Sequence, residues 1–390
     1  MPQVTPMQGV HRPWRGWDIR LNGVVNIQAL FEPRDRHRTG GPGRRQVGSV
    51  NWGMFTARRN VHGGRFGIRT MLSAEPWTVP SCGSLSFLAV GEVCEGDTIH
   101  DRQQQHDLFM ELAVDYDRQL HGALRWQVYA GLAGAPALGP PSYPHRASAI
   151  ANPIAPVTHH WLESTHVSFG VLTVGAYSPR WKAETSIFNG REPDDGRYDL
   201  DVGEFDSVSG RLSFLPTERL ALQVSVARLR DVWTDFPFPS QDAATRMTSS
   251  AMYHRPFAAD GIWATTLAFG TNHAREIVLG GGILDATTAA GVVESSVTFS
   301  DRDTIFGRAE AGGMPAHHLH AHEYATSVFT ISKVQMGYVR HFGASRGLQP
   351  GIGGTLAISV VPPELAPRYS GRTAPSFGIF FSLQAARHEM

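Results

Sequence analysis

The sequence predicts an all-β protein: a closed, antiparallel, up-and-down transmembrane β-barrel of about sixteen strands, with long outer loops and short periplasmic turns. Three observations carry that expectation. Apolar and polar residues alternate along short segments from one end of the chain to the other, the period of a strand with one dry and one wet face. The connections alternate long and short, as successive antiparallel strands require when large loops lie at one end and tight turns at the other. No run of about 18 apolar residues exists, which excludes a spanning helix but not a barrel, whose average hydropathy looks soluble.

Taken in order, the segments lie near 18–30, 48–58, 64–72, 108–117, 123–132, 164–176, 180–189, 206–215, 219–230, 245–254, 261–270, 291–300, 304–311, 327–340, 350–361 and 375–384. In the first, Ile19, Leu21, Val25 and Ile27 take one face and Arg20, Asn22, Asn26 and Gln28 the other. In 164–176 the apolar Val167, Phe169 and Val171 are assigned to lipid, leaving His166, Ser168 and Gly170 for the lumen. In 206–215, Val208, Leu212 and Phe214 oppose Ser209, Arg211 and Ser213. In 219–230, Leu222, Val224 and Val226 oppose Gln223, Ser225 and Ala227; "GIWATTLAFG", "VVESSVTFS", "GIGGTLAISVV" and "SFGIFFSL" repeat the pattern.

Segments 31–47, 73–107, 133–163, 190–205, 231–244, 271–290, 312–326 and 362–374 are expected to be long loops, and the intervening connections tight turns, with turn chemistry in "YSPR", "LPTE" and "SDRD". Trp17, Phe31, Trp52, Tyr116, Trp126, Trp161, Tyr177, Trp181, Tyr253, Trp263, Tyr338 and Phe342 lie near segment ends, where a barrel places its interfacial girdles. A soluble sandwich shares the alternation, but this many meandering strands would leave it with exposed edges. An even strand number puts both termini on the periplasmic side.

The 390 residues fit either two domains or one large β-structure. Only 18% are charged, and the 35 basic residues cancel the 35 acidic ones, so no single-sign surface points to nucleic acid. The expected organisation is a periplasmic extension over 1–16, one barrel over 17–384 and a tail over 385–390. The opening "MPQVTPMQGVHRPWRGW" lacks the apolar core of a signal peptide, so the expected destination in the outer membrane of a Gram-negative-type bacterium implies a leader absent from this chain. Cys82 and Cys94 share one irregular segment. They either close a short loop in an oxidising compartment or stand as two free thiols.

The blocks "DRQQQHDLFMELAVDYDR", "HRASAIANPIAPVTHHWLESTHVSFGVLT", "FNGREPDDGRYDLDVGEFDSVSGRLSF" and "GYVRHF" give the chain a further character. From about Trp17 to Leu383 it resembles a little-characterised family of bacterial outer-membrane β-barrel proteins. The resemblance implies a porin-like barrel and export; it brings no established substrate or reaction. The end "SLQAARHEM" departs from the terminal aromatic common in such barrels.

Parity sends Arg20, Arg65, Arg69, Glu111, Asp115, Arg125, Lys182, Glu184, Arg211, Glu294, Arg308 and Glu310 to the interior, and Asp107 and Arg146 join them as constriction candidates on the two longest loops. These charges either stay solvated and set ion selectivity, or pair across the lumen as structural bridges. The function expected is passage of a small polar or ionic solute, with outer-membrane lipid as the surrounding partner.

A transition-metal role is the alternative, using copper or zinc on His106, His145, His160 and His166, imidazole being a good ligand for both. "HHLHAHE", with His317, His318, His320, His322 and Glu323, is a second histidine tract, expected to be a loop without fixed geometry. The competing reading of both is a polar network of histidines, carboxylates and water. The acidic run from Asn189 to Asp201 lacks EF-hand spacing, which favours a solvated loop over calcium. No enzyme activity is expected. A barrel hydrolase built on Ser164 and His166, with Asn152 and Asp107, is the weakest alternative, since no nucleophile elbow is present.

Overall fold

The computed structural model describes residues 10–35, 41–90, 92–95, 97–163, 167–230, 234–235, 238–239, 243–258, 260–278 and 282–386. Among them the wall consists of β1 Trp17–Asp35, β2 Gly41–Val61, β3 Gly64–Leu72, β4 Phe109–His121, β5 Leu124–Gly134, β6 Ser168–Tyr177, β7 Trp181–Phe188, β8 Ser207–Thr217, β9 Leu220–Leu229, β10 Ala244–Phe257, β11 Gly261–Val278, β12 Gly282–Phe299, β13 Asp303–Pro315, β14 Val328–His341, β15 Leu348–Val360 and β16 Thr373–Ala385. Each pairs antiparallel with its sequence neighbours. β16 pairs back onto β1, from Phe377 opposite Phe31 to Gln384 opposite Val24, which closes the sheet and removes its edges.

All of the predicted segments are therefore strands of one closed barrel. The short strand Val10–Trp14 folds back on β1, so part of the expected extension 1–16 is a hairpin on the wall. The tight turn between β2 and β3 uses His62 and Gly63, both at positive φ, the geometry that keeps the right-handed twist of the flanking strands.

The pleat sorts the two faces. Leu267, Val293, Ile305 and Val334 are 48 to 60% exposed, while Thr266, Glu294 and Arg308 on the opposite face of the same wall are at most 3% exposed. That is a core turned inside out: polar within, apolar without, the arrangement a surrounding hydrocarbon demands. Near the tight turns, aromatic pairs ring the outside, with Trp17 against Phe66, Tyr116 against Trp126 and Tyr253 against Trp263. Phe31 stacks on Phe377 towards the loop end. Three predicted girdle members lie elsewhere: Trp52 and Trp161 are buried inside the barrel, and the Tyr177 hydroxyl donates to Asp117 in the lumen.

Three expectations are corrected. Segments 31–47 and 271–290 are not long loops; β1 and β2 run on to Asp35 and Gly41, and β11 and β12 to Val278 and Gly282. The outward face of the β11–β12 extension carries polar residues such as His273, Arg275 and Asp285, so no continuous greasy face betrays it. In β6 the assigned parity is reversed: Val171 pairs with the fully buried Phe188 and points inward, as does Phe169, whereas Leu172 and Val174 face outward. Near the outer rim the lumen itself is apolar, roofed by loops, so greasiness no longer reports lipid.

Candidate functional site

Staves β3, β4, β5, β7 and β8 supply a ladder of charges along one side of the lumen. Asp117 on β4 takes Arg65 of β3 at 3.1 Å and Arg125 of β5 at 2.5 Å. Glu184 on β7 takes Lys182 at 2.6 Å and Arg211 of β8 at 3.0 Å. Glu111 on β4 takes Arg69 of β3 at 3.1 Å and accepts from the Tyr129 hydroxyl at 2.9 Å. Five cations thus share three carboxylates. The cations keep access to water, from 46% of the Arg65 side chain and 34% of Arg69 to 18% of Lys182.

The opposite side of the lumen is filled by the connection from β5 to β6, whose described part is 135–163. Its backbone is tethered to the wall in sequence. The Ala137 N–H donates to Ser186 Oγ on β7 at 2.8 Å and the Gly139 N–H to Ser225 Oγ on β9 at 2.9 Å. Ser296 of β12 donates to the Ala147 carbonyl, Arg308 of β13 to that of Ile154, and Asn152 to Gln335 of β14. Thr158 donates twice to Glu310 of β13, and the Trp161 indole N–H donates to Thr288 of β12 at 2.8 Å. A loop of this length inside a barrel needs such partners, because its backbone is denied water.

Glu294 is the hub of this contact. One oxygen accepts from Arg146 Nε at 2.5 Å and from Ser148 at 3.0 Å; the other accepts from Arg146 Nη2 at 3.3 Å and from Arg308 Nε at 3.2 Å. Arg146 also reaches Glu163 at 3.3 Å. Its side chain is fully buried, a charge with no solvent to fall back on. Beside it, the His145 ring lies tilted against Trp52, with centroids 5.2 Å apart. Burial, and then Arg69, His106 and Arg146, push its ring down to about 4. The histidine is therefore neutral at ordinary pH.

The connection from β3 to β4, 73–108, closes the outer end. It begins with the one-turn helix α1, Glu75–Thr78, beside β2 where β3 has stopped. The Glu75 carboxylate accepts from the Asn51 N–H of that exposed edge and from His106 at 2.9 Å. Cys82 and Cys94 are joined as a disulfide. Phe87, Leu88 and Val90 then dock under Leu319, Leu365 and Tyr369 of the last two large loops, forming an apolar roof with Val157 and Trp161.

Most of the predicted interior charges do face the lumen in this register; Arg20 sits at the turn-end rim beside Asp18 at 3.3 Å. Asp107 lies outside the ladder, buried against Arg197 at 3.2 Å. Among the described residues, the predicted metal ligands do not converge on one point. His106 engages Glu75, His145 engages Trp52, and His160 lies 3.4 Å from Glu192; His166, like Ser164, lies outside the described residues. Of the imagined hydrolase partners, Asn152 is held by Gln335 and Asp107 by Arg197. The second tract is not a loop without fixed geometry: His317 and His318 are buried in a turn of 3-10 helix, Ala316–Leu319, with Glu276 of β11 beside them. The Asp194, Asp199 and Asp201 carboxylates approach one another in the β7–β8 loop, where Asp201 accepts from the Asp194 N–H and Asp194 from the Gly196 N–H.

No protein-family description and no curated protein matches the chain. Solved structures do. The chain is similar to the OmpF of Salmonella typhi solved in complex with daunomycin, with TM-score 0.57 and 10% identity over 96% of this chain and 100% of that one. It is similar to an anion-selective porin from Comamonas acidovorans, with TM-score 0.55 and 10% identity over 94% and 99%. It is also similar to the outer-membrane channel DcaP of Acinetobacter baumannii, with TM-score 0.51 and 9% identity over 96% and 99%. At these identities the shared property is the fold of the barrel, end to end.

Proposed function

We propose that the chain is a porin-like channel of a Gram-negative-type outer membrane that passes a small anionic or polar solute between the 135–163 loop and the charged ladder. The observation that carries this is the inequality of the two lumen walls. On the β11–β14 side the charges are neutralised and buried under the loop. On the β3–β8 side, Arg65, Arg69, Arg125, Lys182 and Arg211 outnumber Asp117, Glu111 and Glu184 and keep contact with water. A ring segment with excess positive charge favours anions by its local field. The anion-selective porin among the similar structures supports the same direction.

The test is conductance of the refolded barrel in a planar bilayer under a salt gradient. A reversal potential of the anion-selective sign is expected, and Arg211→Glu with Arg125→Glu should bring it towards or past zero. Unitary conductance with cation preference unchanged by those substitutions would overturn the proposal.

A further inference from the structure

We propose that Glu276, His317 and His318 form a binding site for a first-row transition-metal dication, with zinc the best match, beneath the roof of the barrel and apart from the charged ladder. Glu276 projects inward from the outer end of β11. β13 ends at Pro315, and the turn Ala316–Leu319 immediately folds His317 and His318 onto that carboxylate. The Nε2 atoms lie 2.7 Å and 3.4 Å from Glu276 Oε2, and one ligand atom from each residue falls within 4.8 Å of the other two. A tetrahedral ion with ligands about 2.0 to 2.1 Å away separates its donors by about 3.3 Å, so the set needs little adjustment to close on a metal.

All three groups are buried, at 6 to 9% exposure, with two imidazoles converging on one carboxylate, a donor set of the kind that zinc takes. A dication turns both rings into donors. The turn is also rigid: Ala316, Leu319 and Ala321 are at most 1% exposed in the roof, the Ala321 N–H donates to the Ala316 carbonyl, and the His320 N–H donates to that of His317. Ligands held this way are preorganised.

A cavity bordered by Trp161, Asn272, Thr288 and Pro315 reaches both Glu276 and His318. It leaves room for water as a fourth ligand, the pattern of three protein ligands and an open position. Next in the chain, His320 lies 4.7 Å from His100 and 5.6 Å from the exposed His322, ring to ring.

The experiment takes the full chain refolded in detergent, stripped with chelator and titrated with zinc salt alone. Stoichiometric zinc that survives desalting is expected. Glu276→Gln and His318→Gln should each weaken binding by more than the about 100-fold that outer-shell changes cost, and His322→Gln should leave it within a few-fold. Cobalt(II) loaded into unaltered protein, which needs no variant to fold, should show the visible bands of a low-coordinate nitrogen and oxygen site. Zinc lost on desalting, zinc retained equally by Glu276→Gln, or a cobalt spectrum like that of the hydrated ion would each overturn the site and leave an imidazolium–carboxylate cluster; none of these bears on conductance.

Discussion

Glu294→Gln is the most informative perturbation of this barrel, because it keeps shape and removes one charge. In the native lumen that carboxylate compensates two guanidinium groups, Arg146 from the loop and Arg308 from the wall, and accepts from Ser148. Neutralising it leaves two cations confined around an amide; only Glu163, 3.3 Å from Arg146, remains as a counter-charge to the loop arginine. Breaking a buried pair by removing one partner costs about 3 to 5 kcal/mol. The barrel wall holds itself by backbone bonds, so the cost falls on docking of the 135–163 loop. A shift of that size changes the docked-to-undocked ratio by at least about a hundredfold. Single-channel recording should show larger and noisier openings, and limited proteolysis should cut within 135–163 while the wall stays resistant. A variant that conducts and resists protease like the parent protein would refute the view that Glu294 holds the loop in place.

Acid should loosen the same loop through His145. Its ring accepts a proton near 6.5 when unfolded or undocked but only near 4 when buried, so the undocked state binds more protons between those values. Its contribution is full above about pH 6.5 and drains away as pH falls towards 4, amounting to about 3 kcal/mol at most. The difference in pH-dependent conductance between the parent protein and His145→Gln measures it; identical profiles would remove the histidine from the account. On the outside, Leu267→Arg should destabilise the barrel by about 2 to 4 kcal/mol in lipid, as arginine does facing the midplane, read as a lower urea midpoint in bilayers. Reducing the Cys82–Cys94 bond, which closes a loop of sequence separation 12, should cost the 73–108 segment about 3 kcal/mol and expose it to protease, with little change in the wall.

What the sequence determined by itself was the pleat wherever one face of a strand is visibly greasy. Side chains alternate at every residue, so the face on which Arg65, Arg69, Glu111, Arg125 and Arg211 sit follows from parity alone wherever one neighbour is visibly greasy. Strand number followed for the same reason, and so did the end of the barrel that carries the large loops. Parity failed at Phe169 and Val171, where loops make the interior apolar, and the pattern was silent over the hairpin extensions, whose outward face carries polar residues such as His273, Arg275 and Asp285.

Only the tertiary structure decided which distant residues meet. Arg146 and Glu294 are 148 positions apart, Asn152 and Gln335 are 183 apart, and His317 finds Glu276 across the gap between two staves. No periodicity encodes such contacts. They arise because closing the cylinder confines a long loop in a space where each of its polar groups must find a partner on the wall.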